Sequence, residues 1–239
     1  MTGLSGQCAV VTGASRGIGR AVAETLRRAG ASVVRAARSL NPGRGDGLLD
    51  VRCDLTRPDD VEALAAATRA AFGPSPPDLV VSAAGTFFLK PLTETRPEDF
   101  ATQLGAGLQG AFHVARAFLP PMRDRGRGRL ITIGSIADHR AFPENAAYCA
   151  AKFGLRGLHE ALREEYSGSG LLCTLISPGP TDTAAWDAVD PDRRPGFLPR
   201  SAMLRPEDVA DAVLWVATRL PNVDIDWIRL GPAGSPIDR

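Results

Sequence analysis

Tyr148 and Lys152 stand four positions apart in a run with helical periodicity, and Ser135 precedes them just past an apolar, strand-like run. Side chains at i and i+4 share one helix face, so the lysine ammonium lies beside the phenol and can favour its ionised form. A phenol with an ordinary pKa near 10 must lose about three units to exchange protons readily at neutral pH, a difference of roughly 4 kcal/mol. One cation at ~4 Å in an effective dielectric near 20 supplies about that much. The pair is therefore an adequate acid–base centre on arithmetic alone. Tyr-x-x-x-Lys is also ordinary helix decoration, and only the surroundings separate the two readings.

Far upstream, Thr12-Gly13-Ala14-Ser15-Arg16-Gly17-Ile18-Gly19 lies between a short apolar run, 8–12, and a run of helical period, 18–29, with Val22 and Leu26 on one face. Such a turn lets backbone amides and the positive helix end approach a pyrophosphate, with Gly13 for the turn, Gly17 for close approach and Gly19 for packing. Three glycines in a loop are common. A position after the first strand and before a helix is the context that gives them meaning.

The elements that must carry these residues alternate. Strands are expected at 8–12, 32–37, 49–53, 79–83, 130–133, 171–176 and 224–230, and helices at 18–29, 58–72, 97–125, 146–166 and 206–219. Gly105, Gly107 and Gly110 interrupt the third helix and imply a bend or close approach. The stretch 38–47 barely allows a crossover between parallel strands and reads as a loop, not a helix. This order predicts an α/β fold: a doubly wound parallel sheet, Rossmann-like and of about seven strands, in a single domain over 1–239. The glycine turn, Ser135 and Pro178-Gly179 all follow expected strands, so they share the rim where such sheets bind ligands.

Composition narrows the classes. The 239 residues carry 28 Lys and Arg against 27 Asp and Glu, a formal net charge of +1, with both signs scattered, so no basic arm points to nucleic acid. No apolar stretch approaches bilayer length, and 1–6 lacks the pattern of a signal peptide. Cys8, Cys53, Cys149 and Cys173 are far apart and read as reduced thiols. The expectation is a soluble, unprocessed, cytoplasmic chain without membrane or nucleic-acid partners. His113, His139 and His159 have no ligand spacing, so no metal site is expected.

Together these motifs resemble the short-chain dehydrogenase/reductase family, in its compact single-domain branch, over essentially the whole chain. The matching pieces are the turn 12–19, Asp54, Ala83-Ala84-Gly85, Ser135, Tyr148-Cys149-Ala150-Ala151-Lys152, and Pro178-Gly179 with Thr183. The resemblance implies Tyr148 as proton donor or acceptor, Ser135 holding the substrate oxygen, and Lys152 binding the nicotinamide ribose while tuning Tyr148. It also places the dinucleotide against Gly13, Ser15, Arg16, Ile18, Gly19, Arg38, Asp54, Leu55, Ala83, Ala84, Gly85, Pro178, Gly179, Thr181 and Thr183, besides Tyr148 and Lys152. In it Asp54 accepts from the adenine amine, although an Asp after a strand is as often a turn former. By the same resemblance Thr183 would fix the nicotinamide carboxamide.

The end of the second strand, Val33-Val34-Arg35-Ala36-Ala37-Arg38-Ser39, has no carboxylate for the ribose hydroxyls of NAD(H). Arg38 and Arg16, with Ser15 and Ser39, could instead surround a 2′-phosphate, so NADP(H) is expected; the plainer reading is that Arg38 begins a solvated loop. Two positions depart from the family pattern. Ser82 replaces the Asn usual after the fourth strand, and Gly107 replaces an Asn whose backbone holds a water linking the lysine to solvent, so a reduced or rerouted proton relay is expected.

The implied activity is NADPH-dependent reduction of a ketone or aldehyde, reversible as alcohol oxidation. Its rivals are an NAD-dependent alcohol dehydrogenase and a non-catalytic dinucleotide-binding sensor. The substrate pocket implied by the family pattern is walled by 86–88, 138–142, Asn145 and a lid at 180–204 carrying Trp186, Phe197 and Met203. His139, Arg140, Arg193 and Arg194 could receive an anionic substrate or be solvated surface. A homodimer or homotetramer is expected, paired through helices around 100–120 and 147–166, although their apolar residues could equally face the chain's own sheet.

Overall fold

Mostly valine- and isoleucine-bearing runs extend and alanine- and leucine-bearing runs coil, giving β1 (Cys8–Thr12), α1 (Gly17–Arg28), β2 (Ser32–Ala37), β4 (Leu48–Arg52) and α2 (Pro58–Phe72) in the first half, with a short β3 (Gly43–Gly45) that has neither residue. The second half holds β5 (Leu79–Ser82), α3 (Pro97–Leu104), α4 (Gly110–Asp124), β6 (Gly128–Ile133), α5 (Ala146–Glu165), β7 (Leu171–Pro178), α6 (Pro206–Ala217) and β8 (Trp227–Leu230). The structure is a computed structural model that describes residues 3–233; Met1, Thr2 and 234–239, which the single-domain reading included, lie outside the described residues.

The strands form one eight-stranded sheet in the order β3-β4-β2-β1-β5-β6-β7-β8. Every pairing is parallel except β3 with β4. The chain winds outward from β1 through β2, then returns to the other side of β1 at β5. That reversal is the topological switch point.

Strand alternation feeds two cores. Ala9 and Val11 of β1, with Leu79 and Val81 of β5, join α1 and α6 on one face; Val10 and Val80 join α2 and α4 on the other. Two expectations are corrected. The 38–47 link has no helix, as expected, but it folds back as β3, with Arg44 donating to the Ala71 carbonyl at 2.9 Å. It adds an antiparallel edge to the seven strands read from the sequence. The last strand begins at Trp227 rather than 224.

The glycine-interrupted helix proves to be α3 and α4 joined by a π-turn at Gly105–Gln109. A Cβ on Gly110 would lie 2.8 Å from Leu55 Cβ, so close approach, not bending alone, requires glycine there. No helix among the described residues is long and apolar enough to cross a membrane.

Candidate active site

Beyond the carboxyl ends of the central strands lies a cavity of about 1460 Å³, and all of the residues singled out above for chemistry or dinucleotide contact line it. One end is made by the β1–α1 turn. Gly13 has φ +68°, and a Cβ there would sit 2.7 Å from Ala84 Cα, so the turn presses directly on Ala83-Ala84-Gly85 after β5. Thr12 Oγ1 fastens that contact by accepting from the Ala83 N–H at 3.2 Å. A Cβ on Gly19 would strike the Gly13 carbonyl, which ties the helix start to the turn.

Gly17, at φ +55°, faces Thr183; a Cβ would lie 3.2 Å from its methyl. Helix α1 begins here without a side-chain cap and with no acidic residue in its first turn. Its first amides and positive end therefore stay available beside Ser15, Arg16 and Ile18, a cradle that fits a pyrophosphate.

At the next strand the two nearby arginines differ. Arg35 is spent on Asp50 across β2 and β4 in a bidentate pair, both bonds 2.7 Å, whereas Arg38 is exposed on the cavity wall. Asp54 accepts from the Thr56 N–H at 3.0 Å and its hydroxyl at 2.8 Å, the turn-former geometry. Burial works to raise its pKa, but the Thr56 bonds, Arg38 and Arg57 bring it below the ordinary value. Beside it, the Leu55 carbonyl is held 2.8 Å from His113 Nδ1.

At the other end, Ser135 leaves β6 in extended conformation and Tyr148 sits in the first turn of α5, hydrogen-bonded to Ser135. Lys152, one turn on, is buried; its Nζ donates to the Ile133 carbonyl at 3.0 Å and lies 5.8 Å from the Tyr148 ring centroid. The structure thus joins Ser135, Tyr148 and Lys152. It also corrects the sequence arithmetic. Burial pushes the phenol up to about 12, against the Ser135 hydrogen bond, and brings the lysine down to about 8, with Asp138 opposing that fall. Desolvation of both groups outweighs their helix-face proximity.

Asp138 was expected in the substrate wall, but it lies beneath it. Its carboxylate accepts from the Ser135 N–H at 3.0 Å and the Ser177 hydroxyl at 2.6 Å, and faces His139 Nδ1 at 2.8 Å. Trp227 Nε1 completes the set by donating to Ser177 Oγ at 2.8 Å. The Ser-x-x-Asp spacing of a capping box was the available signal for Asp138. Gln103 was also missed. It is buried on α3, and with its amide oriented to satisfy both neighbours it donates to the Thr86 carbonyl at 2.7 Å and accepts from the Phe88 N–H at 3.2 Å.

The remaining wall is aromatic. Phe87, Trp186, Phe197, Phe142 and Met203 line the cavity, while Phe88, His139 and Arg193 do not. The segment 180–204 is ordered by short bonds at its base, Leu204 N–H to the Pro180 carbonyl at 2.9 Å and Asp182 N–H to the Leu204 carbonyl at 2.8 Å. Arg200 stitches it further by pairing with Asp182 and Asp187. Among the described residues no three His, Cys, Asp or Glu side chains are grouped to hold a metal ion.

Comparison with known proteins finds relatives in both sequence and structure. The family profile described as short chain dehydrogenase matches residues 7–194. An uncharacterized oxidoreductase of Staphylococcus aureus strain USA300 is 31% identical over 239 residues, covering 97% of this chain and all of the relative. Among solved structures, an alcohol dehydrogenase from the archaeon Thermococcus sibiricus, complexed with 5-hydroxy-NADP, superposes with TM-score 0.83 at 25% identity over 96% of this chain and 97% of that one. A metagenomic short-chain oxidoreductase in complex with NADP gives 0.77 at 31% identity over 95% and 98%.

Proposed function

The chain belongs to the short-chain dehydrogenase family, and from that premise we propose that it is an NADPH-dependent reductase of ketones or aldehydes, reversible as an alcohol dehydrogenase, with Tyr148 as the proton donor. The observation that carries the reading is the meeting of Ser135, Tyr148 and Lys152 in the same cavity as an uncapped, glycine-lined helix start. NADPH, when bound, supplies the hydride that adds to the carbonyl carbon. Tyr148 gives its proton to the carbonyl oxygen, which becomes the alcohol hydroxyl, while Ser135 polarises that oxygen by hydrogen bonding. The phenol holds its proton at neutral pH, the state a donor requires, while burial works against its release.

Gly13, Gly17 and Gly19 admit the pyrophosphate, Lys152 holds the nicotinamide ribose, Thr183 the carboxamide, and Asp54 with Leu55 the adenine side. The exposed, cavity-lining Arg16 and Arg38 favour the 2′-phosphate of NADP(H) over NAD(H), and two of the similar structures hold NADP-type cofactors. Phe100, Phe112 and Phe153 are 41%, 48% and 46% exposed on α3, α4 and α5, which supports pairing of those helices in a homo-oligomer, checked by light scattering.

The decisive variant is Tyr148→Phe. It is expected to keep NADPH binding by fluorescence titration and to lose carbonyl reduction by about three or more orders of magnitude. Unchanged turnover refutes the assignment of Tyr148. Wild-type protein that binds NADPH but oxidises it with no carbonyl compound favours the non-catalytic sensor.

A further inference from the structure

The reading above leaves the carbonyl compound open, and the geometry around Tyr148 narrows it. Phe87 sets its ring edge-on to the Tyr148 phenol, centroids 5.0 Å apart at 78°. Phe87 and Tyr148 both line the cavity, so a carbonyl compound at that phenol has Phe87 as a neighbour. Trp186 also meets Phe87, centroids 4.8 Å apart, and Phe197 meets Trp186 at 6.3 Å. A chain of ring contacts therefore runs from the Tyr148 ring to the lid. Rings against such a wall gain edge-to-face and offset contacts beyond plain area burial.

Arginine charge at this end is largely paired with carboxylates. Arg194 lines the cavity but is bonded to Glu144, which also lines it, and its guanidinium lies 4.8 Å from the Phe197 ring centroid. Arg200 is tied to Asp182 and Asp187, and Arg140 lies over Phe142 at 5.5 Å. His139, a candidate for anion binding by sequence, is turned to Asp138 and Trp227. An anionic substrate reaching for Arg194 would have to compete with the Glu144 carboxylate already in place.

Resting on the carbonyl-reductase reading, we propose that the substrates are uncharged ketones or aldehydes bearing an aromatic ring, which packs on the Phe87–Trp186 wall while the carbonyl meets Tyr148. The test measures kcat/KM with NADPH for acetophenone, for benzoylformate as its anionic counterpart, for cyclohexyl methyl ketone as its non-aromatic counterpart, and for propanal. Acetophenone is expected to exceed benzoylformate by at least ~100-fold and cyclohexyl methyl ketone by ~3-fold or more, the size of one good ring contact. In Trp186→Ala the ratio of acetophenone to propanal should fall at least ~10-fold, mainly through KM, and Trp186→Phe should restore most of it.

Equal or better turnover of benzoylformate overturns the proposal alone, as does equal turnover of the cyclohexyl ketone or a ratio unmoved by Trp186→Ala in folded protein. No NADPH oxidation with any of the four by wild-type protein that binds NADPH overturns the carbonyl-reductase reading and this inference with it.

Discussion

At the glycine-turn end of the cavity the wall is main chain. Gly13, Gly17 and Gly19 bring backbone against backbone, and Thr12 locks the turn to Ala83. At the tyrosine end the wall is side chain: Phe87, Trp186 and Phe197 come from a loop after β5 and from the lid, and meet through their rings. The first end is fixed by conformations that few residues can adopt, the second by contacts that many residues could make. A ligand fragment that does not vary suits the first; a substrate that evolution can exchange suits the second.

The strongest attempt to break this contrast is Gly13→Val. The φ of +68° costs a β-branched residue about 1–3 kcal/mol, and the new Cβ would meet the Ala84 backbone at 2.7 Å, where nothing flexible can yield. NADPH affinity is expected to fall by ~100-fold or more by fluorescence titration, with a lower thermal midpoint. Phe197→Ala at the other end should leave NADPH affinity within ~2-fold of wild type. Comparable losses from the two variants would mean that the ends are not built on different principles.

A smaller effect sharpens the contrast within the glycine-turn end. Of the two arginines on β2 and just past it, Arg35 is committed to Asp50 and Arg38 is exposed, so Arg38 is the one placed to join Arg16 in a charge-assisted bond to a 2′-phosphate. Such bonds contribute about 1.5–3 kcal/mol, so Arg38→Ala should weaken NADPH binding ~10- to 100-fold and leave NADH binding unchanged. Equal effects on both dinucleotides would assign Arg38 to solvated surface.

The same contrast explains what could be read in advance. Glycine at fixed spacing, an i,i+4 Tyr and Lys, and valine-rich runs each record a local requirement, and local requirements are written in the sequence itself. The parallel sheet, the turn 12–19 and the meeting of Ser135, Tyr148 and Lys152 followed from them. Strand β3 did not, because Gly43–Gly45 has no strand-forming side chain and pairs only because β4 lies beside it. Nor did the direction of the Tyr148 shift, which depends on how much water the fold removes from the phenol. The aromatic wall joins residues far apart in the chain, and spacing carries no record of such contacts.

The smallest predicted effect concerns what lies beneath each end. Under the glycine turn the sheet is apolar, with Val11 and Val81 fully buried. Under the tyrosine end, α5 is held to β6 by a buried polar contact, His159 Nδ1 to Thr132 Oγ1 at 2.9 Å. His159 is 2% exposed, and burial, assisted by Arg163 and opposed by Glu160 and Asp138, brings its pKa down to about 4. The unfolded chain takes up this proton near pH 6.5 and the folded chain only near 4, so between those values the unfolded state holds more protons. Stability contributed by neutral His159 is thus fully present above about pH 6.5 and is lost as pH falls towards 4, by about 3 kcal/mol at most. Urea denaturation from pH 7 to 4 should show this loss, and His159→Asn should flatten that part of the slope while lowering stability at pH 7. Since α5 carries Tyr148 and Lys152 and β6 leads to Ser135, hydrogen exchange at pH 5 should rise in α5 before α1. Equal acid sensitivity of the two helices, or an unchanged slope in His159→Asn, would show that the polar support under the tyrosine end does not distinguish it from the apolar one.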